Sequence, residues 1–363
     1  MRIATFNMEN LFSRPNAMSD DPDIDSSDVL KDFQKLNMLI QYKTYTVAVK
    51  EELLALIDKH GVKAPRPKTI RLHEVREKLV VAPQNGAMRI DIDGRDDWVG
   101  WFDLIRRDVS WKATYNTARV IDLIRPDILL AVEVEDRLAM QRFHDQVLAS
   151  NFPESSYPFN VLIDGNDERG IDIGLYSRYP IVSVRTHIDE RDESGSPLFS
   201  RDCPEFEIAL RGGRTLIVLG NHFKSKGYGQ PAATAAKRLR QARRVCDLAR
   251  DAIERSDLVL VAGDLNDTPD SPPLKALRNG IELKDISAHP KYEGRVPTYG
   301  GSQSLNNKID YLLMSPALYD TVSRGAVEIS GVYAPIAGAP FPDLSRKQDQ
   351  ASDHGLLWAD VDL

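Results

Sequence analysis

The sequence predicts an α/β or α+β domain built on a large sheet system. Three observations carry this. Short apolar, β-branched runs recur along the 363 residues, helix-period patterns lie between them, and one long segment, 20–112, departs from that rhythm.

The first run is RIATF (2–6). The 20–112 segment then opens on the acidic, loop-like DDPDIDSSD. Leu30, Phe33, Leu36 and Ile40 have helical spacing, as do Val47, Leu54 and Ile57, closed by Gly61. APRPK breaks the pattern. The stretch TIRLHEVREKLVVAPQNGAMRIDIDGRDDW alternates around QNG and predicts a hairpin. This segment carries no motif assignable to chemistry and reads as an insertion within a single domain spanning 1–363. Ala118, Ile121 and Ile124 predict a helix over 115–125 ending at Pro126. Strand-like runs follow at 127–132, 170–177, 215–220, 258–262, 309–314 and 355–361. Most are continuously apolar, which suits strands covered on both faces. Between them, Ala235, Leu239, Ala242, Cys246, Ala249 and Ile253 form one stripe of a helix over 231–255, with Pro231 in its first turn.

Composition narrows the function classes. Hydrophobic content is 42%, charged content 28% and net charge −7. A protein that coats nucleic acid through charge alone is usually strongly basic, so any such contact here needs a local basic patch or metal ions. Two cysteines, Cys203 and Cys246, suggest neither a disulfide framework nor a thiolate metal site. No signal peptide and no apolar run of membrane-spanning length is visible, so a cytoplasmic protein without membrane insertion is expected.

Polar residues cluster at the strand ends. Asn7 and Glu9 follow RIATF, Glu133 and Glu135 follow DILLAV, and Asn221 and His222 follow TLIVLG. Asp264 and Asn266 follow LVLVA, Asp310 opens IDYLLM, and Asp353 and His354 precede GLLWADV. Each alone reads as a turn or cap residue. Six strand ends of this kind are hard to explain by turn chemistry. If they converge, they form a pocket of oxygen ligands with two imidazoles. Carboxylate and amide oxygens without thiolates suit Mg²⁺ or Mn²⁺. The reaction class implied is metal-assisted attack of water on a phosphoester.

ATFNMENLF, PDILLAVEVED, GNHFKSKG, VAGDLNDTP, NNKIDYLLMS and ASDHGLL, in that order, resemble the motif set of the endonuclease/exonuclease/phosphatase superfamily. The set spans residues 2–361, and NHFKSKG resembles a bacterial nuclease branch more than the phosphatases. The resemblance implies a four-layer sandwich, two mixed β-sheets flanked by helices. It implies that Glu133 binds the divalent ion with Asn7 beside it, that Asp353 touches metal, and that Glu135 is peripheral. It implies that Asp264 orients or deprotonates the attacking water, helped by Asn266. His354 then faces the scissile phosphate, with Asp310 holding its ring. His222 faces the phosphate from the other side, and Asp172 is the candidate partner of His222, a structural role being the alternative. Two departures stand out. Val132 occupies a position where the family often has Gln, and the 20–112 insertion follows the Asn7 motif directly.

Lys224 and Lys226 follow His222 and are the best candidates for phosphate contacts, within a basic stretch that runs on to Arg244. A second basic stretch, KHGVKAPRPKTIRLHEVREK, lies in the insertion. Trp98, Trp101 and Trp111 could stack on a base, but such tryptophans more often pin an insertion to its host, the reading preferred here. The leading function is a divalent-metal-dependent phosphodiester hydrolase, a nuclease acting on nucleic acid. The alternative is a phosphoesterase acting on a small phosphorylated metabolite or lipid head group. A non-catalytic binding module is disfavoured, because Glu133, Asp264, Asn266, Asp310 and His354 are all present.

Overall fold

The structure, a computed structural model, describes residues 1–9, 26–81, 83, 86–105, 110–167, 170–227, 230–300, 304–333 and 340–363. It divides into two compact units: Met1–Phe12 with Ser110–Leu363, and Ser13–Val109.

In chain order the strands are β1 (Arg2–Asn7), β2 (Ile70–Arg76), β3 (Val99–Leu104), β4 (Ile128–Val134), β5 (Phe159–Leu162), β6 (Asp172–Ser177) and β7 (Ile181–Arg185). They continue as β8 (Glu205–Ala209), β9 (Thr215–His222), β10 (Leu258–Asp264), β11 (Lys284–Asp285), β12 (Asp310–Met314), β13 (Val322–Glu328) and β14 (Leu356–Val361). The helices are α1 (Ser26–Leu39), α2 (Val47–Lys59), α3 (Trp111–Ile124), α4 (Arg137–Phe143), α5 (Ala149–Asn151), α6 (Pro231–Arg255), α7 (Pro272–Gly280) and α8 (Pro316–Tyr319).

The larger unit holds two six-stranded mixed sheets, ordered β13-β14-β1-β4-β6-β5 and β11-β12-β10-β9-β8-β7. The continuous apolar runs are explained by burial on both faces. In β4, Leu129 and Ala131 pack with Ile121 of α3 and Met140 of α4. Their neighbours Ile128, Leu130 and Val132 point the other way, into a core shared with Val218, Leu260 and Leu312 of the second sheet. In β10, Val259 and Val261 pack instead with Val245 and Ala249 of α6 and Leu274 of α7. The layers are therefore helix, sheet, sheet, helix. Gly220 marks how closely the sheets approach, since a Cβ there would lie 2.9 Å from both Ile173 Cγ2 and Leu130 Cδ1.

All seven predicted runs are strands. The edge and near-edge strands β5, β7, β8, β11 and β13 carry weaker apolar signals and were not predicted. Helix α6 has the predicted bounds, but its stripe begins differently. Ala235 is exposed, and the buried face of the first turns is Thr234, Arg238 and Gln241. That end of the helix packs on a polar loop rather than on the core.

The smaller unit packs α1 and α2 with a two-stranded β2–β3 ribbon around Leu36, Ile40, Leu53, Ile57, Ile70, Trp98 and Phe102. Val47, placed on the inner stripe by its spacing, is exposed. The predicted hairpin differs too. The alternation over 70–76 is a strand, but its partner is 99–104, with Ile70 opposite Leu104. Among the described residues around QNG the Val81–Arg89 bridge forms, and residues 82, 84 and 85 lie outside them. Residues 20–25 of the acidic opening also lie outside them.

Candidate active site

Strand direction explains why the polar ends meet. In each sheet a central pair is parallel, β1 with β4 and β9 with β10, so Asn7, Glu133, His222 and Asp264 sit at C-terminal ends. The antiparallel neighbours β6 and β12 bring their N-terminal residues, Asp172 and Asp310, to the same edges. His354 stands just before β14, the antiparallel partner of β1. Register completes the arrangement: Asp264 lies opposite both His222 and Asp310.

Local backbone then aims the side chains. Glu133 sits at a bulge between Val132 and Val134 with φ +62°, a left-handed conformation that costs energy in a glutamate and turns its side chain out of the regular alternation. Asn266 is also left-handed, at φ +50°. This bend brings its backbone N–H to Asp264 Oδ1 at 2.8 Å and its Nδ2 to Asp264 Oδ2 at 3.1 Å. Gly263 has φ +125°, and a Cβ there would lie 1.9 Å from Asn221 O, so only glycine fits before Asp264.

Asn7 links the two sheets. Its Nδ2 donates to Glu133 Oε1 at 3.2 Å and Asp264 Oδ2 at 3.3 Å. His222 Nε2 lies 3.7 Å from each of the same two carboxylates. On the other side, His354 Nδ1 meets Asp310 Oδ2 at 2.7 Å, and its Nε2 is 3.7 Å from Asp353 Oδ1.

Burial pushes Asp264 up to about 7, with Asp310 and Glu133 adding like-charge repulsion. Burial alone would lower the His354 imidazole, but Asp310, Asp353 and Asp264 outweigh it and hold the ring well above its ordinary range. Asp172 is pushed up to about 7, chiefly by burial, against the Gly165 N–H that donates to its Oδ1 at 2.8 Å.

Three further residues enter the site: Glu9, placed at a strand end by the sequence but given no role there, and Ser352 and Thr298. Burial pushes Glu9 up to about 8, with Asp353 and Glu133 reinforcing it. Its Oε2 accepts from Asp353 N at 2.6 Å and Gln350 Nε2 at 2.7 Å, and its own N–H holds Asn7 Oδ1 at 3.1 Å. Ser352 Oγ donates to Asn7 O at 2.7 Å and accepts from His354 N at 2.9 Å. Thr298 Oγ1 accepts from Asp310 N at 3.1 Å, while Thr298 O accepts from Gly355 N at 2.7 Å. Glu9 and Ser352 had a signal, standing two residues from Asn7 and His354. Thr298 had none.

The rim loop after His222 is built by α6. The Lys224 backbone N–H donates to Gln241 Oε1 at 3.0 Å, while Arg238 donates to Lys224 O at 3.1 Å. Arg238 also pairs with the buried Asp267 at 2.9 Å, and Lys226 Nζ reaches the same carboxylate at 2.7 Å. Asp267 therefore ties the rim loop to α6.

The residues fit a divalent cation. Glu9, Glu133, Asp264, Asp310 and Asp353 crowd negative charge, and Asp310 Oδ1 is buried with no hydrogen-bond partner among the described residues. Asp264, Asp310 and His354 each offer a ligand atom within 4.8 Å of one another. Asp310 Oδ2 is committed to His354, which leaves Asp310 Oδ1 and the neighbouring carboxylates as the oxygen donors.

A sequence model described as the Endonuclease/Exonuclease/phosphatase family matches residues 113–354. No curated protein matches the chain. Among solved structures, a conserved protein of unknown function from Enterococcus faecalis is similar at 14% identity and TM-score 0.52, covering 70% of this chain and 93% of its own. An endonuclease/exonuclease/phosphatase family protein from Bacteroides thetaiotaomicron is similar at 15% identity and TM-score 0.51, covering 70% and 90%. These two share the fold. No helix among the described residues is long and apolar enough to cross a membrane.

Proposed function

The chain belongs to the endonuclease/exonuclease/phosphatase family of metal-dependent phosphoesterases, and on that premise we propose that it is a divalent-metal-dependent phosphodiester hydrolase acting as a nuclease. One observation carries the reading. A buried carboxylate, Asp264, is clamped by Asn266 and Asn7 while two imidazoles flank the same pocket.

Asp264 orients the attacking water and takes its proton, a role that its raised proton affinity favours. Asn266 and Asn7 fix the carboxylate's two oxygens, so the water is positioned rather than sampled. His354, kept protonated by Asp310, stabilises charge developing on the phosphate. His222 faces the phosphate from the opposite side as donor, with Asp172 retained as its candidate partner. Bound Mg²⁺ or Mn²⁺ would neutralise phosphate oxygens and polarise phosphorus. Glu133, Glu9 and Asp353 would hold the ion, with Asn7 beside it. Lys224 and Lys226 are the candidate phosphate contacts on the rim.

The test is a substrate panel with Mg²⁺ or Mn²⁺: plasmid DNA, single-stranded DNA, RNA, a bis-aryl phosphodiester, an aryl phosphomonoester and inositol phosphates. Cleavage of the diesters, abolished by EDTA, is the expected result. Turnover of monoesters alone would replace the nuclease reading with the small-phosphoester alternative. Asp264→Ala should lower turnover by about a hundredfold to ten-thousandfold with the fold intact. Near-normal activity in that variant would sink the mechanism.

A further inference from the structure

The three tryptophans of the 98–111 region divide by environment, Trp98 being buried and Trp101 and Trp111 exposed. Trp98 is 1% exposed, and its Nε1 donates to the buried Tyr45 hydroxyl at 2.9 Å. It pins the smaller unit internally. Trp101, three residues on, is 45% exposed.

Trp101 is not a leftover of poor packing. Strand alternation sends Phe102 and Leu104 of β3 into the core with Ile70 and Leu72, and sends Trp101 outward. Three cross-strand pairs form the outward face: Arg71 with Asp103, His73 with Trp101, and Arg76 with Val99. The His73 and Trp101 rings are stacked, with centroids 4.9 Å apart and planes 16° from parallel. An aromatic stack is thus flanked by an arginine on each side.

The β2 side of this face is basic in a chain whose net charge is −7, while β3 contributes Asp103, 3.8 Å from the His73 ring. Residues 59–78 hold seven lysines and arginines against two glutamates. Of these, Arg66, Lys68, Arg71, Arg76 and Lys78 are exposed. An exposed aromatic platform with cations on both flanks matches the two needs of single-stranded nucleic acid: a π-surface for an unstacked base and positive charge for the phosphates beside it. A duplex keeps its bases stacked internally and cannot use the platform.

We propose that the outward face of the β2–β3 ribbon, centred on Trp101 and His73, binds single-stranded nucleic acid. This surface lies in the unit that lacks the catalytic motifs, and the proposal stands independently of the reaction.

The test uses the full chain in EDTA, with a short fluorescein-labelled oligothymidylate and a duplex of equal length read by fluorescence anisotropy. Wild type should prefer the single strand, and affinity should fall with salt. Trp101→Ala and His73→Ala should each weaken binding, Trp101→Ala by about tenfold, while Trp101→Phe keeps most of it. A double Arg71→Glu, Arg76→Glu variant should bind weakly with a shallower salt dependence. Thermal melting of Trp101→Ala should match wild type, because the ring faces solvent. A wild type that does not retain the single strand, or a Trp101→Ala variant that binds it as tightly, overturns the proposal.

Discussion

Ser352→Ala tests whether the active site is assembled as described. Ser352 is 1% exposed, and its hydroxyl serves two backbone groups at once. It donates to the Asn7 carbonyl at 2.7 Å and accepts from the His354 N–H at 2.9 Å. Alanine fills nearly the same space but leaves both groups buried and unpaired. Each such orphan costs about 1–3 kcal/mol, so a total loss of about 2–6 kcal/mol is expected. That is a large share of an ordinary domain's stability, about 5–15 kcal/mol. The same hydroxyl sets the spacing between Asn7 and His354. A displacement on the order of 1 Å at a catalytic group can cost about a hundredfold in rate. Urea unfolding gives the first quantity, read from a shifted midpoint at unchanged slope. Steady-state turnover of the best panel substrate gives the second. A stability change below about 0.5 kcal/mol, the level of an ordinary surface substitution, with turnover preserved, would refute the reasoning.

Asn266→Ala and Asn266→Gly both remove the side-chain grip on Asp264, but only glycine accepts φ +50° without strain. Both should lose turnover, and the alanine variant should be less stable by about 1 kcal/mol; equal urea midpoints would argue against backbone strain there. Arg238→Met removes one of the two cations on Asp267 and the donor to Lys224 O but leaves Lys226 on that carboxylate, so stability should fall by about 1–3 kcal/mol and KM should rise more than kcat falls. An unchanged KM would separate the rim loop from substrate binding. The pH dependence of stability should report on His187, which lies 2.8 Å from Glu190 and 2.9 Å from Glu205. Burial opposes its charge, but Glu205 and Glu190 outweigh that and raise it above 6.5, so its contribution is full below 6.5 and is lost as pH rises through the folded value. Arg244, opposed by burial and aided by His187, lowers Glu190 below 4.5. Glu205 is lowered too, burial being outweighed by His187 and Arg255, so both glutamates contribute above 4.5 and lose that as pH falls through their folded values. The terms coexist between 4.5 and 6.5, and His187→Gln should flatten the alkaline decline in urea midpoint; an unaltered decline would dismiss the His187 term.

Much of the larger unit was legible because its strands are buried on both faces. Ile128–Val134 and Leu258–Asp264 have one apolar neighbour set per face, so the chain has to be apolar throughout, and that pattern is visible. The half-exposed β5, β7 and β13 have no such requirement and were missed. Helix α6 was legible in its C-terminal half, where it covers the sheet. Its first turns pack Arg238 and Gln241 against a loop, and apolar periodicity is silent about that contact. The ribbon failed for another reason. Alternation identified a strand at 70–76 but could not choose between the nearby QNG turn and the distant partner at 99–104.

The sequence by itself determined which residues could do chemistry: Asn7, Glu133, His222, Asp264, Asn266, Asp310 and His354 all stand at strand ends whose apolar runs declare them. It also determined the family, through the order of those ends along the chain. Tertiary structure decided how they are brought together. Parallel and antiparallel pairing puts opposite ends of different strands on one edge, and no linear pattern encodes that direction. The bulge at Glu133, the hydroxyl of Ser352 and the carboxylate of Glu9 then join residues far apart in sequence, through contacts that depend on angles and distances rather than residue type. The same holds for Trp98 and Trp101. They are the same residue type three positions apart, and only the side of the ribbon each occupies makes one a core anchor and the other a surface.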